Sequence, residues 1–287
     1  MTLIERLNVY ERLMRLDRPI GILLLLWPGM WALWFAKHGF PDPDILIIFI
    51  VGTILTRSGG CVVNDFADRD IDPYVKRTQH RPLAAREIGT REALVLAGFL
   101  FLLAFILVLQ LNRLTVLLSF AGLFLAISYP FTKRFFSWPQ AYLGIAFGWA
   151  IPMAWAAQYG SLTPTTWAML AANILWSIAY DTEYAMVDRD DDVRLKVKST
   201  AILFGRFDVA AVMICQAGFL GIMAAVGWWQ GLGNLYYAGI AAAVALVVYQ
   251  YFLIRDRGRD GCFKAFMNNN WVGAVVWAGL ALDLFFK

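Results

Sequence analysis

The sequence predicts an all-α integral membrane protein, and three observations carry that expectation. Of the 287 residues, 60% are hydrophobic and only 16% charged, with a mean hydropathy of +0.59, outside the range of soluble globular chains. Apolar windows long enough to cross ~30 Å of hydrocarbon as helices recur from end to end. Lys and Arg fall almost entirely into alternate loops between those windows, as cytoplasmic loops require.

Taken in order, the windows lie near residues 19–36, 45–64, 92–111, 114–129, 139–158, 166–187, 208–229, 235–254 and 267–286, which makes nine spans. The segment before the first is charged and no small-residue cleavage site follows it, so the N-terminus is expected to be retained. With that terminus in the cytoplasm, only Lys37, Arg113 and Lys287 of the 25 basic residues fall outside. An even number of spans would scramble this partition. No polar linker interrupts the chain, so residues 1–287 are expected to form a single membrane domain. The inner basic residues suit anionic lipid headgroups, and no nucleic-acid partner is expected.

Pro19, Pro28, Pro130, Pro139 and Pro152 lie in or at the ends of spans, where neighbouring helices satisfy the freed carbonyls and kinks result. Pro73 disfavours helical geometry at Asp72, so the second span is expected to end there. Cys61, Cys215 and Cys262 are too widely spaced for a disulfide framework or a zinc site. His38 and His80 fall on opposite sides of the membrane, which excludes a histidine-based metal site.

Two acidic clusters interrupt this apolar pattern. The first holds Asn64, Asp65, Asp68, Asp70 and Asp72, and the second Asp181, Glu183, Asp188, Asp190, Asp191 and Asp192. Carboxylates beside lipid are expensive without a cationic partner and mark functional sites. On a helix, positions i, i+4 and i+8 form one stripe with steps of ~6 Å. Asn64, Asp68 and Asp72 keep that spacing; Asp181, Asp188 and Asp192 line up on the sixth span, and Asp65 fits such a stripe as well. Each cluster is followed by a basic cytoplasmic loop, at 73–90 and 189–207, which suggests two pseudo-related halves facing each other across a cavity.

Mg²⁺ binds through one or two carboxylates together with substrate phosphate and water rather than in an all-protein cage. The stripes suit that chemistry, while Lys76, Arg77 and Arg81 after the first and Arg194, Lys196 and Lys198 after the second supply positive charge for phosphate oxygens. Acid and base alternating around one cavity point to a metal diphosphate site. Solvated helix ends would explain one charge run, but not two at helical spacing beside lipid.

The stretch from Asn64-Asp65 through Asp68 and Asp72 to Arg77-Thr78 and Arg81-Pro82-Leu83 resembles the first motif of the UbiA family of intramembrane aromatic prenyltransferases. Tyr180-Asp181 through Tyr184 and Asp188 to Asp192, continuing to Lys198-Ser199-Thr200-Ala201, resembles its second. The resemblance covers essentially the whole chain, including 13–34 and Ser128-Tyr129-Pro130 up to Lys133, and neither motif departs from the pattern. Within the family the chain is most similar to the bacterial 4-hydroxybenzoate polyprenyltransferases of ubiquinone biosynthesis.

The resemblance implies nine helices around a central cavity that opens to lipid and is capped by cytoplasmic loops, in the bacterial inner membrane. It implies a polyprenyl diphosphate held through Mg²⁺ by both motifs, its tail in a lateral apolar channel, and prenyl transfer ortho to the hydroxyl of 4-hydroxybenzoate. Asn64, Asp65, Asp68, Asp72, Asp188 and Asp192 are then the candidate metal ligands, and Lys76, Arg77, Arg81, Lys133 and Lys198 the diphosphate partners. Asp68, Asp72, Asp181, Asp188 and Asp192 are the candidate catalytic carboxylates, with Asp181 as base or phenol partner. Tyr129 and Tyr184 are candidate aromatic faces for a cation, and Arg15 and Arg18 candidate partners for an acceptor carboxylate. Two alternatives stay open: a sister enzyme acting on homogentisate, dihydroxynaphthoate or haem, and an ion-coupled transporter, which would place its acids at midplane on broken helices.

Overall fold

The computed structural model describes residues 2–287 apart from Lys133, Phe135, Ser137, Lys196 and Val197, and, for Leu195, the backbone alone. Among the described residues the chain is helical throughout, with no strand. Helix α1 (Leu3–Met14) precedes α2 (Ile20–Lys37), α3 (Pro43–Asp68), α4 (Thr90–Val108) and α5 (Arg113–Thr132). Then come α6 (Pro139–Gly148), α7 (Ala150–Tyr159), α8 (Pro164–Leu195), the short α9 (Thr200–Phe204), α10 (Asp208–Trp229), α11 (Asn234–Ile254) and α12 (Arg259–Phe285).

Among the described residues six segments are long and apolar enough to cross a membrane: α2, α3, α4, α5, the run from α9 through α10, and α11. The remaining three expected spans appear as helix but differ in form. The fifth window breaks at Trp149 into α6 and α7. Pro152 has no N–H to offer the carbonyl of Gly148 four residues back, so the helical ladder fails at that joint. The sixth becomes the 32-residue α8, which runs well past the apolar window and keeps the whole second acidic stripe on one helix. The ninth begins at Arg259, eight residues before the window.

The end of α3 corrects an expectation. The helix stops at Asp68 rather than Asp72, and Asp72–Tyr74 forms a separate 3₁₀ turn. A 2.8 Å bond from Ile71 N to Asp68 O and a long one of 3.5 Å from Arg69 N to Phe66 O, each spanning three residues, wind the chain out one turn early.

Ahead of the spans, α1 is an amphipathic surface helix that hydropathy windows do not detect. Thr2 and Glu5 form a reciprocal capping box at its start. Val9 and Leu13 are buried in a cluster with Val62 and Val63 of α3 and Leu83, Ile88, Ala93 and Ala97, while Leu3, Ile4 and Leu7 are exposed. Arg6 pairs with Glu92 and Arg12 with Glu87. The helix ends at Arg15 in the left-handed region (φ 58).

The largest core cluster joins α2, α7, α8, α10, α11 and α12 around Trp31, Trp176 and Phe219. The rings of Trp31 and Trp176 lie 5.2 Å apart, and those of Trp176 and Phe219 stack at 5.5 Å. Between α11 and α12 the backbones touch: a Cβ on Gly239 would stand 2.6 Å from Val275 O and 2.9 Å from Gly279 Cα. Such close approach drives helix association where lipid removes the hydrophobic incentive. In this frame α8 packs against α6, α7, α10 and α12, which holds its acidic face in register toward α3.

Candidate active site

Between the C-terminal ends of α3 and α8 lies a cavity of about 390 Å³. The first wall supplies Asn64, Asp65 and Asp68 from α3 and Asp72 from the turn; the facing wall supplies Asp181, Asp188 and Asp192 from α8. The stripes drawn from helical spacing therefore meet, although Asp72 gets there by a turn rather than by continued helix.

The loop after α3 closes over this gap. Arg77 reaches across to α8, where its Nε donates to both Asp188 carboxylate oxygens at 3.0 and 3.1 Å, and its guanidinium lies 4.5 Å above the Tyr184 ring. Tyr184 and Asp188 are one helical turn apart, so a single cation engages both. Arg81 donates to Asp72 at 2.9 Å and pairs with Asp65 at 3.2 Å. Burial works against charge on Arg81, but Asp65 and Asp72 outweigh it and raise its pKa above the ordinary guanidinium value. Burial likewise opposes charge on Arg77, and Tyr184 with Asp188 overcome it in the same direction. Thr78 Oγ1 donates to the Asp72 carbonyl at 3.0 Å and pins the turn. On the opposite side, Thr200 N donates to Gln140 Oε1 at 3.1 Å, and the Thr182 and Thr200 hydroxyls lie 2.6 Å apart.

The remaining expected residues divide clearly. Tyr129, Tyr184 and Lys198 line the cavity. Lys76 is exposed and is not part of the lining. Lys133 lies outside the described residues. Arg15 lines the cavity with its guanidinium engaged by Asp65 at 2.7 and 3.0 Å. Arg18 sits at the rim with its side chain 71% exposed, 3.5 Å from Asp17. Asp65 itself is 1% exposed beneath Arg15 and Arg81, whereas its neighbour Asn64 is only part-buried.

The donor set fits Mg²⁺. Oxygen ligands dominate the two walls, and among the described residues no three His, Cys, Asp or Glu side chains converge into a cage. Carboxylates split between opposite walls suit an ion that completes its shell with substrate phosphate.

Arg57 is a candidate site residue that sequence reasoning missed. It is the only charged residue on α3 between Asp44 and Asp65, about 10 Å deeper in the membrane than Asn64. Its Nε has no hydrogen-bond partner, and it makes no ion pair with the described residues. An arginine this deep without a counter-ion is costly unless an anion arrives, and its isolation in an apolar window was the available signal. Arg57, Tyr129 and Phe147 line both the acidic cavity and a second one of about 530 Å³ between α3, α4, α5 and α7. That second cavity is walled by apolar side chains such as Phe101, Phe105, Phe120 and Met153. The Arg57 Cζ lies 5.6 Å from the Phe147 ring, which meets Tyr129 edge-on at 6.1 Å. An acidic cavity and an apolar chamber thus adjoin at a cationic and aromatic boundary formed by Arg57, Tyr129 and Phe147.

Comparison with known proteins agrees with this arrangement. The model of the UbiA prenyltransferase family matches residues 25–272. The 4-hydroxybenzoate octaprenyltransferase of Nitrosospira multiformis is 61% identical over 99% of this chain and 98% of its own. That of an Azoarcus species is also 61% identical, over 99% of both chains. Among solved structures, the apo UbiA homologue of Aeropyrum pernix superposes with a TM-score of 0.81 at 25% identity, over 92% of this chain and 98% of that one. A homologue from Archaeoglobus fulgidus, bound to GPP and Mg²⁺, shares the fold with a TM-score of 0.71 at 18% identity, over 95% and 99% of the two chains. The chain is an integral membrane protein and belongs to the UbiA prenyltransferase family.

Proposed function

We propose that this protein transfers the polyprenyl group of a polyprenyl diphosphate to the ring carbon ortho to the hydroxyl of 4-hydroxybenzoate, releasing diphosphate, in ubiquinone biosynthesis. The observation that carries this reading is the pair of adjoining cavities, one with two facing acidic walls and one apolar, that share Arg57 at their boundary. Acidic walls, boundary and apolar chamber each match one part of the reaction: diphosphate, acceptor and tail. The names of the relatives, at 61% identity over nearly the whole chain, support the acceptor and a long prenyl donor.

Asn64, Asp68 and Asp72 on one wall and Asp188 and Asp192 on the other would hold Mg²⁺. When bound, the metal neutralises the diphosphate and makes it a better leaving group. Arg77, Arg81 and Lys198, with Lys133, take up the charge that grows on the leaving group. We assign Asp65 to orienting Arg15 and Arg81, because those two cations already occupy it. The allylic carbon–oxygen bond breaks with its electrons going to diphosphate. Tyr129 and Tyr184 offer ring faces to the resulting cation, and the apolar walls keep water from it. The ring carbon of the acceptor then forms the new bond, and Asp181 accepts the ring proton as aromaticity returns. Arg57 binds the acceptor carboxylate, which its depth and lack of a counter-ion favour over Arg15 or Arg18.

The architecture we infer is one membrane domain of nine spans: the six apolar segments, the bent α6–α7 rod, α8 and α12. The basic loops then put the N-terminus and the mouth of the site in the cytoplasm of a bacterial inner membrane.

The test is prenyl transfer by the purified protein in lipid nanodiscs, with labelled 4-hydroxybenzoate, octaprenyl diphosphate, and Mg²⁺ or a chelator. A lipophilic product carrying the label, formed only with Mg²⁺, is the expected result. Folded protein that makes none, yet prenylates homogentisate or dihydroxynaphthoate, would reassign the acceptor.

A further inference from the structure

We propose that Gly21 is a positioning residue for the acceptor, acting through Arg57. The absence of a side chain at this position of α2 is what lets the Arg57 guanidinium lie at the boundary between the two cavities. The inference rests on the reading that Arg57 binds the acceptor carboxylate.

Gly21 is buried in the first turn of α2, next to Ile20 and close behind Pro19. Its backbone is ordinary helix, and the glycines with positive φ are Gly160, Gly205 and Gly231. Conformation therefore does not call for glycine here, and alanine would be the better helix former. Space does call for it. A Cβ on residue 21 would lie 2.5 Å from Arg57 Nη2, 2.6 Å from Nε and 2.9 Å from Cζ. All three atoms belong to the guanidinium and none to backbone.

That distinction separates this site from the packing glycines. At Gly239 an added Cβ runs into backbone, and the helices themselves must part. At Gly21 it runs into the far end of one flexible side chain. The fold can absorb the methyl group by displacing Arg57, which is held by no ion pair with the described residues and by a ring 5.6 Å away. The cation would move off α2 by roughly an ångström, a misplacement large enough to cost up to about 100-fold where reactants must be oriented. Gly21 and Arg57 both line the acidic cavity, and the guanidinium rests against bare helix backbone at position 21. The pair sets how far from α2 an acceptor carboxylate is held, and so where its ring carbon stands relative to the diphosphate.

The experiment is a double-mutant cycle of Gly21→Ala and Arg57→Ala in nanodiscs. It measures KM for 4-hydroxybenzoate and for octaprenyl diphosphate separately, together with equilibrium binding of radiolabelled 4-hydroxybenzoate. Gly21→Ala is expected to raise the acceptor KM and Kd about tenfold, to change the donor KM less than about twofold, and to leave thermal unfolding in place. In the Arg57→Ala background the same change should alter acceptor binding less than about twofold, because the group it displaces is gone. With 4-hydroxybenzamide, which lacks the carboxylate, Gly21→Ala should have no effect. An effect that persists without Arg57, or one that moves donor and acceptor KM together, would overturn the proposal and make Gly21 a packing residue. If Arg57→Ala leaves acceptor binding unchanged while transfer continues, the role of Arg57 itself fails. If Arg57→Ala weakens binding and Gly21→Ala does not, only the role of Gly21 fails.

Discussion

Arg77 and Asp188, 111 residues apart in sequence, form the bond that ties the first motif to the second. The contact joins a loop and a helix that no local signal relates. It also stacks the same guanidinium on Tyr184, so its geometry is fixed from two sides. Charge-assisted bonds of this kind are worth about 1.5–3 kcal/mol. Arg77→Lys keeps the charge but loses the fork and the flat stacking surface. It should lower kcat/KM for the polyprenyl diphosphate roughly tenfold or more, with the acceptor KM little changed. Steady-state kinetics with each substrate varied in turn checks this, and equal effects on both substrates would contradict it.

Removal of the metal-facing carboxylates should separate chemistry from folding. Asp68 and Asp188 stand on opposite walls of one cavity, so neither substitution leaves the other wall able to hold the ion alone. Asp68→Ala and Asp188→Ala should each cost about 100-fold or more in kcat, since metal stabilisation of a leaving group is worth several kcal/mol. Membrane insertion should be retained in both, with thermal unfolding unchanged in Asp68→Ala and lowered in Asp188→Ala only by the lost Arg77 pairing, about 1.5–3 kcal/mol. Mg²⁺ titration of donor binding, read by calorimetry, should lose its metal dependence in both variants; near-normal turnover would remove these residues from the metal site.

How far the sequence reveals this site depends on the range of the interaction concerned. Membrane spans are local statements about solvent, and all nine windows became helix because lipid leaves the backbone no other partner. The two acidic stripes were legible for the same reason, since Asn64 and Asp68 or Asp188 and Asp192 share a face through helical spacing alone. Pro73 and Pro152 announced breaks, but where the ladder gave way, at Asp68 and at Trp149, depended on hydrogen bonds around them. Partner choice was not legible. Arg15 had the composition of an acceptor anchor, yet the left-handed turn that ends α1 delivers it to Asp65. Arg57 was hidden by the opposite circumstance, because a single charge in an apolar window states a need without saying what meets it.

The Arg15–Asp65 pair leads to a further expectation. Asp65 is shared between Arg15 and Arg81, so Arg15→Ala leaves a buried carboxylate to draw Arg81 away from Asp72. The effect should appear as a rise of roughly three- to tenfold in the donor KM, the range of a part-buried hydrogen-bonded ion pair. The acceptor KM should stay within about twofold. A selective rise in the acceptor KM would instead return Arg15 to the acceptor site.

Glu183 offers a test of stability away from the cavity. It is fully buried on α8, and its Oε2 accepts a hydrogen bond from Asn269 Nδ2 at 2.7 Å. That bond fixes which way the Asn269 amide points. Its Oδ1 is thereby turned to accept from Trp176 Nε1 at 3.0 Å and Gln216 Nε2 at 2.8 Å, and Gln216 carries the chain on to Gln250 of α11 at 3.0 Å. Four helices are thus linked through the amides of Asn269 and Gln216. Glu183→Gln retains a carbonyl acceptor of the same reach and should change unfolding by less than about 1 kcal/mol. Glu183→Leu removes one of the two acceptors of Asn269 Nδ2, leaving it only Ala265 O at 3.0 Å, and should destabilise by about 1–3 kcal/mol. Thermal unfolding of the detergent-solubilised protein, followed by tryptophan fluorescence, should therefore rank wild type and Glu183→Gln together, well above Glu183→Leu. Equal loss in both variants would mean that the carboxyl group is required there and not merely an acceptor oxygen.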